Sequence, residues 1–217
     1  MIKNIVFDYG GVLVDWDRHY FYDYYFQQSE AREIFERNTG RKGLSVKEMS
    51  DWFLDNICTL EWNSEFDAGG ELDKVTEERV ALFPEWEIPI RAYITNWEPM
   101  MHGAVDGMLE VVQDLKKQGY KLYGLTNWSA YTFDAFVRNT YPVFGLLDGM
   151  VVSGEEKCIK PNEKIYRILL DRYKLVPAET LFIDDNPANV AGAQRLGINA
   201  IIFKDAKTLR KELETIL

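Results

Sequence analysis

Only two cysteines, Cys58 and Cys158, occur among the 217 residues, which excludes a disulfide-stapled fold and a cysteine-built metal cluster and points to a reducing compartment. No apolar run reaches the length of about 20 residues that a bilayer span requires. The first residues enter a strand-like run with no basic leader or cleavage site before it, so the expectation is a soluble, cytoplasmic protein. Low-complexity tracts and repeats are also missing, and 47% hydrophobic residues leave no compositional signature of disorder. Positive charge is scarce: 25 Lys and Arg face 35 Asp and Glu, for a net charge of -10. Such a chain repels nucleic acid and anionic membranes at long range, and an anionic substrate would need locally placed cations.

What is present begins with Asp8. It closes the apolar run Ile5-Val6-Phe7 and precedes the turn Tyr9-Gly10-Gly11, which reads as a buried strand delivering a carboxylate to its tip. Taken alone, Asp8 is equally a turn residue. From about Met100 onward, strands and helices alternate. Val105, Met108, Leu109, Val112 and Leu115 share one helical face before Gly119, and Leu122-Tyr123-Gly124-Leu125 reads as a strand ending at Thr126-Asn127. Met150-Val151-Val152 is a short strand, Ile165, Ile168 and Leu169 mark a helix with Pro161 near its first turn, and Leu181-Phe182-Ile183 ends at Asp184-Asp185-Asn186-Pro187. A helix through Val190, Ala193 and Leu196 stops at Gly197, and Ala200 to Phe203 is a last strand. This alternation predicts an α/β fold with a doubly wound parallel sheet.

Between residues 16 and 99 the strand-like runs disappear, and aromatics and charges recur at helical spacing. The segment reads as a helical cap inserted into a discontinuous core made of residues 1–15 and 100–217. Ser45-Val46-Lys47-Glu48 is a capping box that starts one of its helices. Tyr20 to Tyr25 and Phe26 are too continuous to face one side of a helix, and core packing is expected for most of them. Leaving the sheet after the Asp8 turn, such a module is a candidate lid.

In a parallel sheet the carboxyl ends of the strands share one edge, where ligands bind. Asp8, Thr126 with Asn127, the loop from Glu155 to Lys160, and Asp184 with Asp185 would meet there. Each has an ordinary reading: Thr126 as a helix cap, Lys160 as a solvated charge, Asp184 to Pro187 as an N-cap with proline at N1. Their coincidence at successive strand ends is what folding alone does not require.

This order and spacing resembles the haloacid dehalogenase (HAD) superfamily, most of whose members are phosphatases. Asp8-Tyr9-Gly10-Gly11-Val12 matches its first motif, Leu125-Thr126-Asn127 the second, Lys160-Pro161 the third and Asp184-Asp185-Asn186 the fourth. Val14-Asp15-Trp16 at the tail of the first motif adds a likeness to a subgroup containing sugar-phosphate phosphatases. The resemblance implies a HAD-like Rossmannoid core with a small helical cap. It further implies a Mg²⁺-dependent hydrolase of a small phosphorylated metabolite, a sugar phosphate favoured, acting through an aspartyl-phosphate on Asp8. Catalytic roles would fall to Asp8, Thr126 and Lys160, phosphate contacts to Gly11, Thr126, Asn127 and Lys160, and metal ligation to Asp8, the Gly10 carbonyl, Asp185 and, through a water, Asp184. A cation is required physically, because clustered carboxylates and a phosphate dianion repel one another.

One position departs from the family pattern. Many of its phosphatases carry an aspartate two residues after the nucleophile to protonate the leaving oxygen, and here that residue is Gly10. A leaving group needing little protonation, an acid from elsewhere (His102, Asp15 and Asp17 being candidates), or a different reaction would each fit. The alternatives are a metal-independent 2-haloacid dehalogenase and a catalytically silent phosphate-binding protein. The paired Asp184-Asp185 favours a cation and phosphoryl chemistry. Trp128 is expected either to close over the site or to pack, Cys158 to be incidental, and the chain to be a monomer or homodimer.

Overall fold

The computed structural model describes residues 1–217. The chain opens with β1 (Asn4–Phe7) and β2 (Val14–Trp16), then runs through six helices: α1 (Arg18–Tyr25), α2 (Ser29–Thr39), α3 (Val46–Asn56), α4 (Leu60–Asp67), α5 (Leu72–Leu82) and α6 (Glu87–Thr95). Next come β3 (Met101–Ala104), α7 (Met108–Lys117), β4 (Lys121–Thr126), α8 (Ala130–Phe136), β5 (Gly149–Val152) and the short α9 (Ser153–Glu156). The last elements are α10 (Glu163–Tyr173), β6 (Thr180–Asp184), α11 (Pro187–Gln194), β7 (Asn199–Ile202) and α12 (Ala206–Ile216). Two compact units result. Met1–Asp15, Asp67–Gly69 and Gly103–Leu217 form one, and Trp16–Phe66 with Gly70–His102 form the other.

The first unit is an α/β fold around a five-stranded parallel sheet of order β5-β4-β1-β6-β7. Its central strands β1, β4 and β6 carry apolar runs that are almost wholly buried, as strands covered on both faces are. Val6, Leu125, Val151 and Phe182 pack with Ile165, Tyr166 and Leu169 of α10 in one buried cluster. Full burial of each such side chain stabilises by about 1.5–3 kcal/mol. Register then fixes the functional edge: Phe7 pairs with Gly124 on one side and Ile183 on the other. Asp8, one residue further, is thus flanked by the ends of β4 and β6. Gly124 must be glycine, since a Cβ there would lie 2.1 Å from the Tyr9 hydroxyl.

Some helix limits differ from the sequence expectation. Gly107 sits at φ 78, in the left-handed region, so α7 begins at Met108 and Val105 stays outside it, its N–H donating to the Leu13 carbonyl instead. Pro161 stands just before the Asn162 cap of α10, near the first turn as expected. Leu196 lies beyond the end of α11, and the stretch after β5 expected as loop contains α9. β2 and β3 form a separate two-stranded sheet that the sequence pattern did not disclose.

The second unit is all helix apart from its share of β2 and β3, and its core is aromatic. Ser45 opens α3 with the expected capping box, accepting from the Glu48 N–H while Glu48 accepts from the Ser45 backbone. Of the aromatic run in α1, Phe21, Tyr22 and Phe26 are buried, Tyr24 is exposed, and Tyr20 stacks on His102 with ring centroids 3.5 Å apart. Tyr22 donates its hydroxyl proton to the Pro89 carbonyl at 2.7 Å, and Tyr93 donates to Asn63 Oδ1 at 2.6 Å. No helix in either unit is long and apolar enough to cross a membrane.

Candidate active site

The strand ends of the first unit converge on a single ammonium group. Lys160 Nζ lies 2.8 Å from Asp8 Oδ1 and 2.7 Å from Asp184 Oδ2, and it donates to the Leu125 carbonyl at 2.9 Å. An ammonium has three protons to give, and all are engaged. The lysine side chain is 0% exposed, a burial that only such complete pairing makes tolerable. Burial alone would lower its pKa, but Asp8 and Asp184 outweigh that and hold it above the usual lysine value.

Asn127 explains why Lys160 arrives there. Its side-chain amide donates to the Lys160 carbonyl at 3.0 Å and accepts from the Lys160 N–H at 2.8 Å, a reciprocal pair that ties the end of β4 to the lysine loop. Asp184 is equally saturated: Oδ1 accepts from the Asn186 N–H and from Asn189 Nδ2, and Oδ2 accepts from Lys160 and Asn189 Nδ2. Asn189 sits on α11, five residues after Asp184, and nothing in its sequence context marked it. Asn186 also N-caps that helix, accepting from the Ala188 N–H at 2.9 Å with Pro187 at the first position, so the capping reading of this segment is met.

Carboxylate oxygens of Asp8, Asp184 and Asp185 lie within 4.8 Å of one another. Burial lifts the Asp8 carboxyl well above its ordinary value; Lys160 opposes this and Asp184 adds to it. Asp185 is raised too, through burial and then the neighbouring Asp184. One ammonium does not balance three carboxylates, and these hard oxygen donors suit Mg²⁺ chemically. The adjoining turn is shaped for this crowding. Gly11, at φ +74, brings its backbone so near Asp185 that a Cβ would meet Oδ2 at 2.6 Å. Its N–H donates to the Val14 carbonyl, so the contribution of Gly11 is close approach rather than a free amide.

Thr126 caps no helix. Its hydroxyl is buried at the end of β4 with no hydrogen-bond partner. A buried hydroxyl left unpaired costs about 1–3 kcal/mol, which makes it the place where a ligand oxygen would be gained. Trp128, two residues on, is buried and lies beside the turn, with Cζ3 3.7 Å from where a Gly10 Cβ would stand. Ser153 Oγ accepts from the Trp128 N–H at 2.9 Å and donates to the Asp67 carbonyl at 2.6 Å, a link no sequence signal announced.

Asp17 is the N-cap of α1, accepting from the His19 N–H at 2.8 Å, and belongs with His102 to the second unit. Asp15 lies within β2. Cys158 packs partly buried against the core cluster, and burial raises its pKa, the opposite of an activated thiol.

Comparison with known proteins agrees with this geometry. The sequence model of haloacid dehalogenase-like hydrolases matches residues 2–197. A D-ribitol-5-phosphate phosphatase of Bacteroides thetaiotaomicron is 25% identical over 222 residues, covering 100% of this chain and 99% of that protein. A sesquiterpene phosphatase of Aspergillus oryzae is 31% identical over 110 residues, 51% of this chain and 56% of its own length. Among solved structures, a HAD family enzyme of Bacteroides thetaiotaomicron, crystallised with magnesium and inorganic phosphate, superposes with a TM-score of 0.63 at 22% identity, covering 94% of this chain and 96% of that one. The chain belongs to the haloacid dehalogenase-like hydrolases.

Proposed function

We propose that this hydrolase is a Mg²⁺-dependent phosphatase of a small phosphomonoester, with a sugar phosphate favoured, and that Asp8 is its nucleophile. The observation that carries the reading is the cluster of Asp8 and Asp184, buried around Lys160, with the exposed Asp185 beside them, an excess of negative charge that calls for a cation. The phosphatase activity of the relative matched end to end, and the magnesium and phosphate held by the similar crystal structure, support it.

Asp8 attacks phosphorus in line, the ester P–O bond breaks, and water then hydrolyses the aspartyl-phosphate, so one difficult step becomes two. Asp8, the Gly10 carbonyl and Asp185 would hold the cation directly. Asp184, whose oxygens already accept four hydrogen bonds, would act through a bound water. When bound, Mg²⁺ offsets the negative charge that attack on a dianion would otherwise confront. Lys160 supplies charge beside Asp8, the Thr126 hydroxyl would donate to a phosphoryl oxygen, and Asn127 keeps the lysine loop in register and would offer its own N–H to the phosphate.

Gly10 keeps a second reading open to test, because halide departs without a proton. A panel of phosphorylated metabolites and 2-haloacids, assayed with Mg²⁺ and with a chelator, separates the two. Phosphate release that the chelator abolishes is the expected result, and halide release that survives it sinks the proposal. Asp8→Asn should lower turnover by about 10⁴-fold or more while the fold persists. Undiminished phosphate release in that folded variant would remove Asp8 from its role.

A further inference from the structure

The sheet register sets two turns side by side. Thr126 pairs with Val152, so where β4 and β5 end, Asn127 and Ser153 leave the sheet level with one another. Residues 127–129 belong to no helix or strand, and their path depends on side chains that bond the main chain. Asn127 ties itself to the Lys160 backbone. Trp128 is gripped on both sides: its N–H donates to Ser153 Oγ at 2.9 Å, and its carbonyl accepts from the Gly154 N–H at 3.1 Å. Gly154 permits the grip, since a Cβ there would stand 2.8 Å from the Trp128 carbonyl oxygen. The turn held in this way begins at Thr126, whose buried hydroxyl has no hydrogen-bond partner.

Ser153 has one hydroxyl proton and two carbonyls within reach. The Asp67 carbonyl lies 2.6 Å from Oγ and the Trp128 carbonyl 3.4 Å. While Asp67 takes the proton, an Oγ lone pair is left to face the Trp128 N–H. Asp67 opens a segment, Asp67–Gly69, that packs with the first unit although the residues on either side of it belong to the second. Gly69 lets this segment in: it sits at φ +87, and a Cβ would lie 2.9 Å from both the Gly154 carbonyl oxygen and Lys157 Cγ.

We propose that Ser153 is a positioning residue for the phosphate-binding turn, its hydroxyl set by the Asp67 carbonyl, so that the seating of Asp67–Gly69 controls how the Thr126 hydroxyl is presented. The inference rests on the phosphatase reading for the ligand that Thr126 meets. With the segment seated, the Trp128 N–H keeps its acceptor and the Thr126 hydroxyl is held to one direction. With the segment displaced, the Ser153 proton turns to the Trp128 carbonyl, the turn loosens and the hydroxyl loses its aim. Ser153 acts here through the main chain of Trp128 and not by touching phosphate.

Gly69→Ala and Ser153→Ala test this by unlike changes, one displacing the segment and the other deleting the hydroxyl. Deuterium exchange of the Trp128 amide, followed by NMR in the folded proteins, should quicken about three- to tenfold in each, the worth of one hydrogen bond. Amides of β1 should stay level, which separates the relay from general loosening. Gly69→Ala leaves Ser153 and Trp128 themselves intact, so unchanged Trp128 exchange in that variant overturns the relay. For function, kcat/KM for 4-nitrophenyl phosphate with Mg²⁺ should fall about 10²-fold in Ser153→Ala, the cost of misplacing a reacting partner by about 1 Å. In a Thr126→Val background the same substitution should cost about tenfold at most, because the group it aims is already gone. Falls that simply multiply, to within about twofold, would leave Ser153 a role in the fold alone and overturn the inference. Ser153→Cys, which keeps the shape of the side chain, takes the place of Ser153→Ala should that variant not fold. A parent protein with no chelator-sensitive phosphate release overturns the phosphatase reading instead, and Trp128 exchange in Gly69→Ala then decides the relay by itself.

Discussion

Rings pack on rings in the helical unit: Phe53 lies 4.9 Å from Tyr22, 5.6 Å from Phe26 and 5.3 Å from Trp86, while Trp52 and Phe35 also touch Trp86. At the sheet edge of the other unit, one lysine bonds two carboxylates and one carbonyl, and nothing duplicates it. The aromatic core spreads its stabilisation over many nondirectional contacts, so a lost ring leaves neighbours that still touch one another. The polar edge depends on stoichiometry, since removing one partner strands the rest without water to replace it. One region therefore tolerates change in proportion to area, and the other responds to single groups out of proportion to their size.

Lys160→Met puts the largest strain on that contrast. It conserves much of the stem's volume but leaves Asp8 and Asp184 buried without their cation, a loss of about 3–5 kcal/mol at neutral pH in the absence of Mg²⁺. The pH dependence has a definite sign. Burial already holds Asp8 above the usual 3.8, and Lys160 is the leading influence pulling it down. Without Lys160 the folded-state pKa rises further, so the deficit against the parent opens above the parent's own raised folded value, grows towards the variant's still higher one, and vanishes at acid pH, where Asp8 is protonated in both folded proteins. Urea unfolding at several pH values measures it. A deficit that stays constant with pH would mean lost packing, not stranded charge.

Phe53→Ala is the matched challenge to the aromatic core. Truncations of a buried phenylalanine cost about 3–5 kcal/mol, and with so many neighbouring rings available to close in, a value near the lower end, about 3 kcal/mol, is expected. Its cost should be the same at acid and neutral pH, since no titrating group is uncovered. Dependence on pH as steep as that of Lys160→Met would erase the distinction between the two regions.

The same contrast explains what the sequence could reveal. Asp8, Thr126, Lys160 and Asp184 were legible because each interrupts or follows an apolar strand with a residue type that strands do not need, and parallel order brings such ends together. The capping box at Ser45 was legible because it is local. Asn127 clasping the Lys160 backbone, Asn189 bonding Asp184, and Ser153 joining Trp128 to Asp67 were not. Their partners are main-chain atoms or lie on other elements, and an asparagine or serine that bonds backbone leaves no pattern of its own. Val105 failed for a different reason: a left-handed Gly107 sets the helix start, overriding the apolar spacing.

Thr126→Val carries the smallest expected effect on stability and separates folding from function most cleanly. The shapes match closely, β4 favours a branched side chain, and the hydroxyl being removed has no partner to lose. Stability should stay level or rise by up to about 1 kcal/mol, because an unsatisfied buried donor is deleted. Turnover should move the other way: one donor to a developing oxyanion is worth about 10²–10³-fold in kcat. Denaturant unfolding and steady-state kinetics on the same preparation test both halves. A variant that loses stability and activity together would place the Thr126 hydroxyl in the fold's own hydrogen bonding, and the strand end would then be, like the aromatic core, a matter of packing.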